Sequence, residues 1–140
     1  MKDQEIHEKL IERARQEPYA RLLSMNVKKV GPGYSVVEMR FTPQVENIFG
    51  MAHGGAIYSL LDEAFQTAGN SHGTLAVALN MSVVYVNSPE PGALLRAEAK
   101  EVSVTRKTAT YTITVTDEKN KVIATCQALA YRKGVPLPFL

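Results

Sequence analysis

The stretch Asn47-Ile48-Phe49-Gly50-Met51-Ala52-His53-Gly54-Gly55, with the apolar run Ala56–Ala68 behind it, decides how this chain folds. Ala56, Ile57, Leu60, Leu61, Ala64, Phe65 and Ala68 recur at three-to-four spacing and make a wide apolar stripe, as a helix packed against a sheet requires. Gly54 and Gly55 stand at its predicted N-terminus, and Gly69-Asn70 is a suitable C-terminal stop. Outside this helix and its leading loop, the chain from Met25 onward reads as strand and turn.

Upstream, Met25–Val30 and Tyr34–Phe41 predict two strands joined by the turn Gly31-Pro32-Gly33, so a hairpin is the economical reading. Further back, Ile6, Leu10, Ile11 and Ala14 recur among charged residues and predict an amphipathic helix from about Asp3 to Arg15, closed by Pro18. Downstream, four strands are expected near Leu75–Val86, Ala93–Thr105, Lys107–Asp117 and Lys121–Arg132. The third is the clearest: threonines at 108, 110, 112, 114 and 116 alternate with Ala109, Tyr111, Ile113 and Val115. A period of two sends one face to a core and the other to water. The sum is one α+β domain over 1–140, a long helix embedded early in an antiparallel sheet. The Pro-broken apolar tail Val135–Leu140 is free to dock on a neighbouring surface.

Composition narrows the class. At 140 residues the chain can bury one core, and 45% apolar with 21% charged residues is ordinary for a soluble globular protein. A net charge of +2, with basic residues scattered, gives no footing for nucleic acid. No segment approaches the roughly 20 apolar residues of a membrane helix. The charged N-terminus lacks a secretory apolar run, and the single Cys126 forms no internal disulfide, so the chain reads as cytoplasmic, with Cys126 a small core residue.

Chemistry concentrates around the glycines. Gly54 and Gly55 either ease a tight loop into the helix, or let a ligand reach a bare backbone N–H at a helix N-terminus, where an oxyanion is stabilised. His53 reads first as a brace for the glycine loop and second as a general acid–base. With no companion ligand at metal-binding spacing, no zinc site is indicated. His7 and His72 read as surface residues. Asp62 falls off the apolar stripe beside Tyr58, Ser59 and Gln66, whereas Glu63 reads as a solvated helix-face carboxylate. At 1.5 Å per residue, Asp62 lies about 12 Å along the axis from Gly54. One carbonyl cannot be held by Gly54 and attacked through Asp62 of the same helix. Two helices packed antiparallel would bring the two together, so the pattern calls for a dimer with composite sites. No nucleophile elbow, dinucleotide glycine motif or P-loop is present.

The run Asn47-x-x-Gly50-x-x-His53-Gly54-Gly55, with Asp62 eight residues after Gly54, resembles the hotdog-fold acyl-CoA thioesterases, and more narrowly the PaaI-like branch associated with phenylacetic acid degradation. The likeness spans nearly the whole chain. It implies a curved antiparallel sheet wrapped around the central helix, paired into a dimer and commonly a dimer of dimers (a homotetramer). It further implies that Gly54 N–H polarises the thioester carbonyl, that Asp62 of the partner subunit serves as general base for water or as nucleophile, that Asn47 helps place that water, and that His53 shapes the loop. In some relatives a serine faces the site from the strand after the helix; here Ala78 stands there, with Asn80 and Ser82 nearby. For the coenzyme A end, the resemblance points to the turn Thr105-Arg106-Lys107-Thr108, where Arg106 and Lys107 could pair with phosphates; a solvated hairpin turn is the plainer reading.

The expectation is therefore an acyl-CoA thioesterase that releases a free acid and coenzyme A, requires no cofactor or metal, and meets coenzyme A as part of its substrate. Its rivals are a hotdog module that binds acyl-CoA without cleaving it, and a hotdog hydratase or dehydratase. Tyr58, Phe65 and Met81 are candidates for an apolar acyl tunnel, with core packing the plainer assignment.

Overall fold

The computed structural model describes residues 1–140. In chain order the elements are α1 (Asp3–Arg15), α2 (Pro18–Leu22), β1 (Asn26–Gly31), β2 (Tyr34–Arg40), a 3₁₀ turn (Pro43–Val45), α3 (Gly54–Gly69), β3 (Thr74–Tyr85), β4 (Leu94–Val104), β5 (Thr108–Thr116) and β6 (Val122–Pro136). All six strands join one antiparallel sheet in the order β1-β2-β4-β5-β6-β3. α3 touches every strand, so the sheet curves around it. The α+β class and the hotdog arrangement implied by the resemblance are both present.

The expected apolar stripe is the face that does this packing: Ala56, Ile57, Leu60, Leu61, Ala64, Phe65 and Ala68 are all buried. They meet Val37 and Met39 of β2, Leu95, Ala97 and Ala99 of β4, and Tyr111, Ile113 and Val115 of β5 in one continuous core. Alanines at 97 and 99 let the helix backbone come close, and the larger side chains of α3 fill the space they leave. Phe65 meets Tyr111 with ring centroids 5.6 Å apart. Along β5 the alternation is as read: residues 109, 111, 113 and 115 are buried, and the threonines are not. Cys126 is a buried core residue whose thiol is pushed up to about 11 by burial.

Three expectations are corrected. Pro18 does more than close α1: it opens α2 at the first helical position, where its missing N–H and fixed φ are favourable. His7 is buried, and its Nε2 lies 3.0 Å from the Ser71 carbonyl oxygen. His72 is part-buried and pairs with Glu101 at 2.9 Å. Neither histidine is a loose surface residue, because the chain after α3 folds back over α1 and β4. β6 also continues past Arg132 to Pro136, since its partner β3 begins at Thr74, opposite Pro136. The tail beyond it docks on its own chain: Leu137 joins Ile6, Leu10 and Val30 in a second apolar cluster. The Arg13 guanidinium lies 5.6 Å over the Phe139 ring.

β3 is an edge strand in this chain. Val77, Leu79, Val84 and Tyr85 along it are exposed, as are Ile48, Phe49 and Met51 in the loop before α3. No helix is long and apolar enough to cross a membrane.

Candidate active site

The loop from Val45 to His53 is built to deliver a helix start. Glu46 bridges Ala52, and the His53 N–H donates to the Val45 carbonyl at 2.8 Å. Within this frame the Asn47 side-chain oxygen accepts from the N–H groups of Phe49 (2.9 Å) and Met51 (3.0 Å). Gly50 takes a φ of +74°, a conformation that glycine adopts freely. Asn47 thus spends its carbonyl oxygen on the loop, while its amide NH₂ makes no hydrogen bond within the chain and is available to a water or ligand.

His53 is the N-cap of α3. Its Nδ1 accepts from the Gly55 N–H at 2.8 Å, which places the imidazole proton on Nε2. The N–H groups of Ala56 (3.0 Å) and Ile57 (3.2 Å) both turn back to the His53 carbonyl. A helix begins with four backbone donors lacking intrahelical partners. Here that start has been closed at every donor except one, the Gly54 N–H. No acidic side chain sits in the first turn, so nothing offsets the positive end of the helix dipole there. Gly54 is also held from its other side, because the Tyr85 hydroxyl donates to its carbonyl at 3.1 Å. A Cβ at Gly54 would stand 3.4 Å from the Tyr85 ring.

Asp62 lies on the same helix, on its exposed stripe with Gly55, Tyr58 and Gln66. It lines a depression of about 240 Å³ together with Phe65, Gln66, Ala76, Ala78 and Ala130. Its side chain reaches solvent, yet the depression withdraws enough water to raise the carboxyl pKa above 3.8, with the charge of Glu17 adding to the rise. Gly54 and Asp62 therefore belong to one helix and do not converge within one chain. Phe65, a tunnel candidate, lines this depression from the core; Met81 is partly buried against the core, and Tyr58 is exposed.

Glu63 is the clearest departure from the sequence reading. It is not solvated: only 4% exposed, its pKa is pushed up to about 9, first by burial and then by Glu17. The reason is α2, which covers the flank of α3 that the apolar count leaves polar. Ser59, Glu63 and Thr67, at spacings of four, are all buried along that flank. Ser59 pairs with the Tyr19 hydroxyl at 2.7 Å, and the Gln66 amide reaches Glu17 at 3.3 Å and Glu63 at 3.5 Å. That Ser-x-x-x-Glu-x-x-x-Thr spacing is the signal that could have found this buried polar flank. Tyr85, which holds Gly54, carries no such local signal.

The Arg106-Lys107-Thr108 turn joins β4 to β5. Thr105 and Thr108 lock it through mutual hydrogen bonds of 2.7 to 3.1 Å, and the Arg132 guanidinium holds the Thr105 carbonyl at 2.9 Å. Arg106 and Lys107 are exposed and enter no ion pair. The register ties this end of β5 to the Asp62 depression: Ala130 pairs with Ala109 on one side and with Ala78 on the other. No group of three or more His, Cys, Asp or Glu side chains is placed to hold a metal ion.

The sequence pattern of the thioesterase superfamily matches residues 49–124, from the glycine loop into β6. The chain belongs to the thioesterase superfamily. The acyl-coenzyme A thioesterase PaaI of Escherichia coli K12 is 30% identical over 115 residues, covering 82% of this chain and 82% of that protein. The solved structure of the E. coli PaaI protein from the phenylacetic acid degradation operon aligns with a TM-score of 0.86 at 27% identity, over 94% of this chain and 98% of that one. The Streptococcus mutans UA159 protein smu.793, solved bound to acetyl CoA, aligns with a TM-score of 0.77 at 26% identity, over 81% and 91% of the two chains. This thioesterase is thus a hotdog-fold enzyme of the PaaI-like, thioester-hydrolysing branch.

Proposed function

We propose that this thioesterase, one hotdog domain over 1–140, hydrolyses acyl-CoA to a free acid and coenzyme A at composite sites between two copies of the chain. The observation that carries the reading is the single unspent donor at the start of α3. With its neighbours closed by His53, the Gly54 N–H is the one backbone group that a carbonyl oxygen can take, and the helix dipole strengthens it. The carboxylate comes from Asp62 of the partner subunit, because the same helix cannot supply both. The exposed apolar residues of edge strand β3 and of the loop at 48–51 favour a second copy as their cover. A dimer of dimers follows the same branch.

In the reaction, Asp62 accepts a proton from water, or attacks directly as nucleophile. Oxygen adds to the thioester carbon while its oxyanion rests on Gly54. The C–S bond then breaks and the coenzyme A thiolate leaves, taking the proton that Asp62 drew from water. Where Asp62 is the nucleophile, water hydrolyses the acyl–Asp62 anhydride left behind to the free acid and the carboxylate, and its released proton goes to the thiolate. The Asn47 amide, free at its nitrogen, places the water. Arg106 and Lys107, with Thr108 shaping their turn, meet the phosphates of coenzyme A. Coenzyme A enters only as part of the substrate. The test is thiol release from a panel of acyl-CoAs. Asp62→Asn should lower kcat by at least about a thousandfold with the fold intact. The wild-type rate should also fall with decreasing pH through a pKa above 3.8, since the carboxylate is the working form. Wild-type turnover by Asp62→Asn would sink the reading; saturable binding without thiol release would make the protein a binding module.

A further inference from the structure

The depression at Asp62 adjoins a second one. The two share Gln66, Asn70, Ala76 and Val77 as lining, and the larger, half-open cavity of about 560 Å³ is walled by α1 and the C-terminal tail through Leu10, Ala14, Leu137 and Phe139. That volume lies within the range of small-molecule sites. Three of its polar residues, Gln66, Thr67 and Asn70, are spent internally, while Arg13 and Gln16 are exposed. The Asn70 amide donates to the Gln66 and Ala76 carbonyls and accepts from the Ala76 N–H. The Thr67 hydroxyl donates to the Glu63 and Ala64 carbonyls, and the Gln66 amide is tied to Glu17. What they offer the cavity is carbon. The charged residues Arg13 and Glu17 are joined in the wall by Leu10, Leu75 and Leu137.

We propose that this chamber, formed by α1 and the C-terminal tail, takes the distal part of a medium-chain aliphatic acyl group whose thioester lies at Asp62 at the other end. The inference rests on the thioesterase reading and adds the substrate class. The path from Asp62 to Asn70 follows α3 for two turns, about 12 Å, further than one aryl ring extends. A phenylacetyl-sized group would fill the depression and leave the chamber empty. A flexible chain would reach both. Each methylene placed there adds about fourfold to kcat/KM, which is about 0.8 kcal/mol.

Thiol release from acetyl-, phenylacetyl- and decanoyl-CoA tests this in the wild type, Ala14→Phe and Leu75→Phe, both variants filling the chamber far from Asp62. Acetyl-CoA turnover reports whether each variant is folded and competent. The expected result is a wild-type kcat/KM that rises toward decanoyl-CoA. Either filled variant should lose about tenfold or more on decanoyl-CoA, with acetyl- and phenylacetyl-CoA within about twofold. A decanoyl-to-acetyl ratio unchanged in a competent variant overturns the proposal and leaves the thioesterase reading standing. If the wild type releases no thiol from any substrate, that reading fails instead, and calorimetry with decanoate decides the chamber alone. Binding by the wild type that is lost in Ala14→Phe supports it, and no binding by the wild type overturns it.

Discussion

Asp62 and Glu63 are adjacent carboxyls with opposite fates, separated by about 100° around one helix. Asp62 faces the groove and stays in touch with water. Glu63 turns under α2, where burial and the nearby Glu17 hold its pKa near 9. In the unfolded chain this carboxyl titrates near 4.5, so between 4.5 and about 9 the unfolded state binds fewer protons than the folded one. Its contribution to stability is complete below pH 4.5 and is lost as pH rises through the folded pKa. Glu63→Gln keeps the size and a hydrogen-bond donor but never ionises. It should raise unfolding free energy at pH 8.5 by about 1 kcal/mol or more, while leaving pH 4.5 within about 0.5 kcal/mol. Urea titrations at the two pH values measure this directly. An equal change at both would show that shape, not ionisation, governs the position.

At the scale of the element, α3 owes its site to its cap. His53→Ala removes the acceptor for the Gly55 N–H and should cost about 1 kcal/mol of stability. Activity should fall with it, because a second bare donor competes with Gly54 and the loop loses its brace. His53→Asn supplies an oxygen acceptor suited to the same position and should recover both. Urea unfolding beside kcat/KM separates the roles: stability recovered with activity still lost would make the imidazole a proton carrier rather than a brace. Most of this element is legible in the amino-acid sequence. The apolar period of α3, the glycine start and the threonine alternation of β5 are local patterns with local causes. The pairing of β2 with β4 and of β3 with β6 is not legible there, since antiparallel partners far apart in sequence leave no mark in either strand alone. Glu63 escapes a sequence reading for a related reason: α2 covers it, and a five-residue helix opened by proline looks in sequence like a stop.

For the whole molecule, the question is whether the site is completed by a second chain, and a genetic mixture answers it. Gly54→Pro replaces the N–H at the first helical position with a ring carbon, at a site where proline is well tolerated, and the preceding His53 already has the extended conformation that proline favours (ψ 131°). The added ring meets Tyr85 at no closer than ordinary contact distance for its Cβ. The Gly54→Pro homodimer, lacking the oxyanion donor, should lose at least about a hundredfold in kcat, and the Asp62→Asn homodimer, lacking the carboxylate, at least about a thousandfold. In a co-expressed mixture, half of the dimers are hybrids. Each hybrid carries one site with both defects and one with neither, so activity should return to about one quarter of the wild-type rate. A site contained within one chain predicts no recovery, because every chain in the mixture is defective. If affinity tags confirm that hybrids have formed and the mixture is still inactive, the composite site is wrong, and Gly54 and Asp62, about 12 Å apart on one helix, do not act on the same carbonyl.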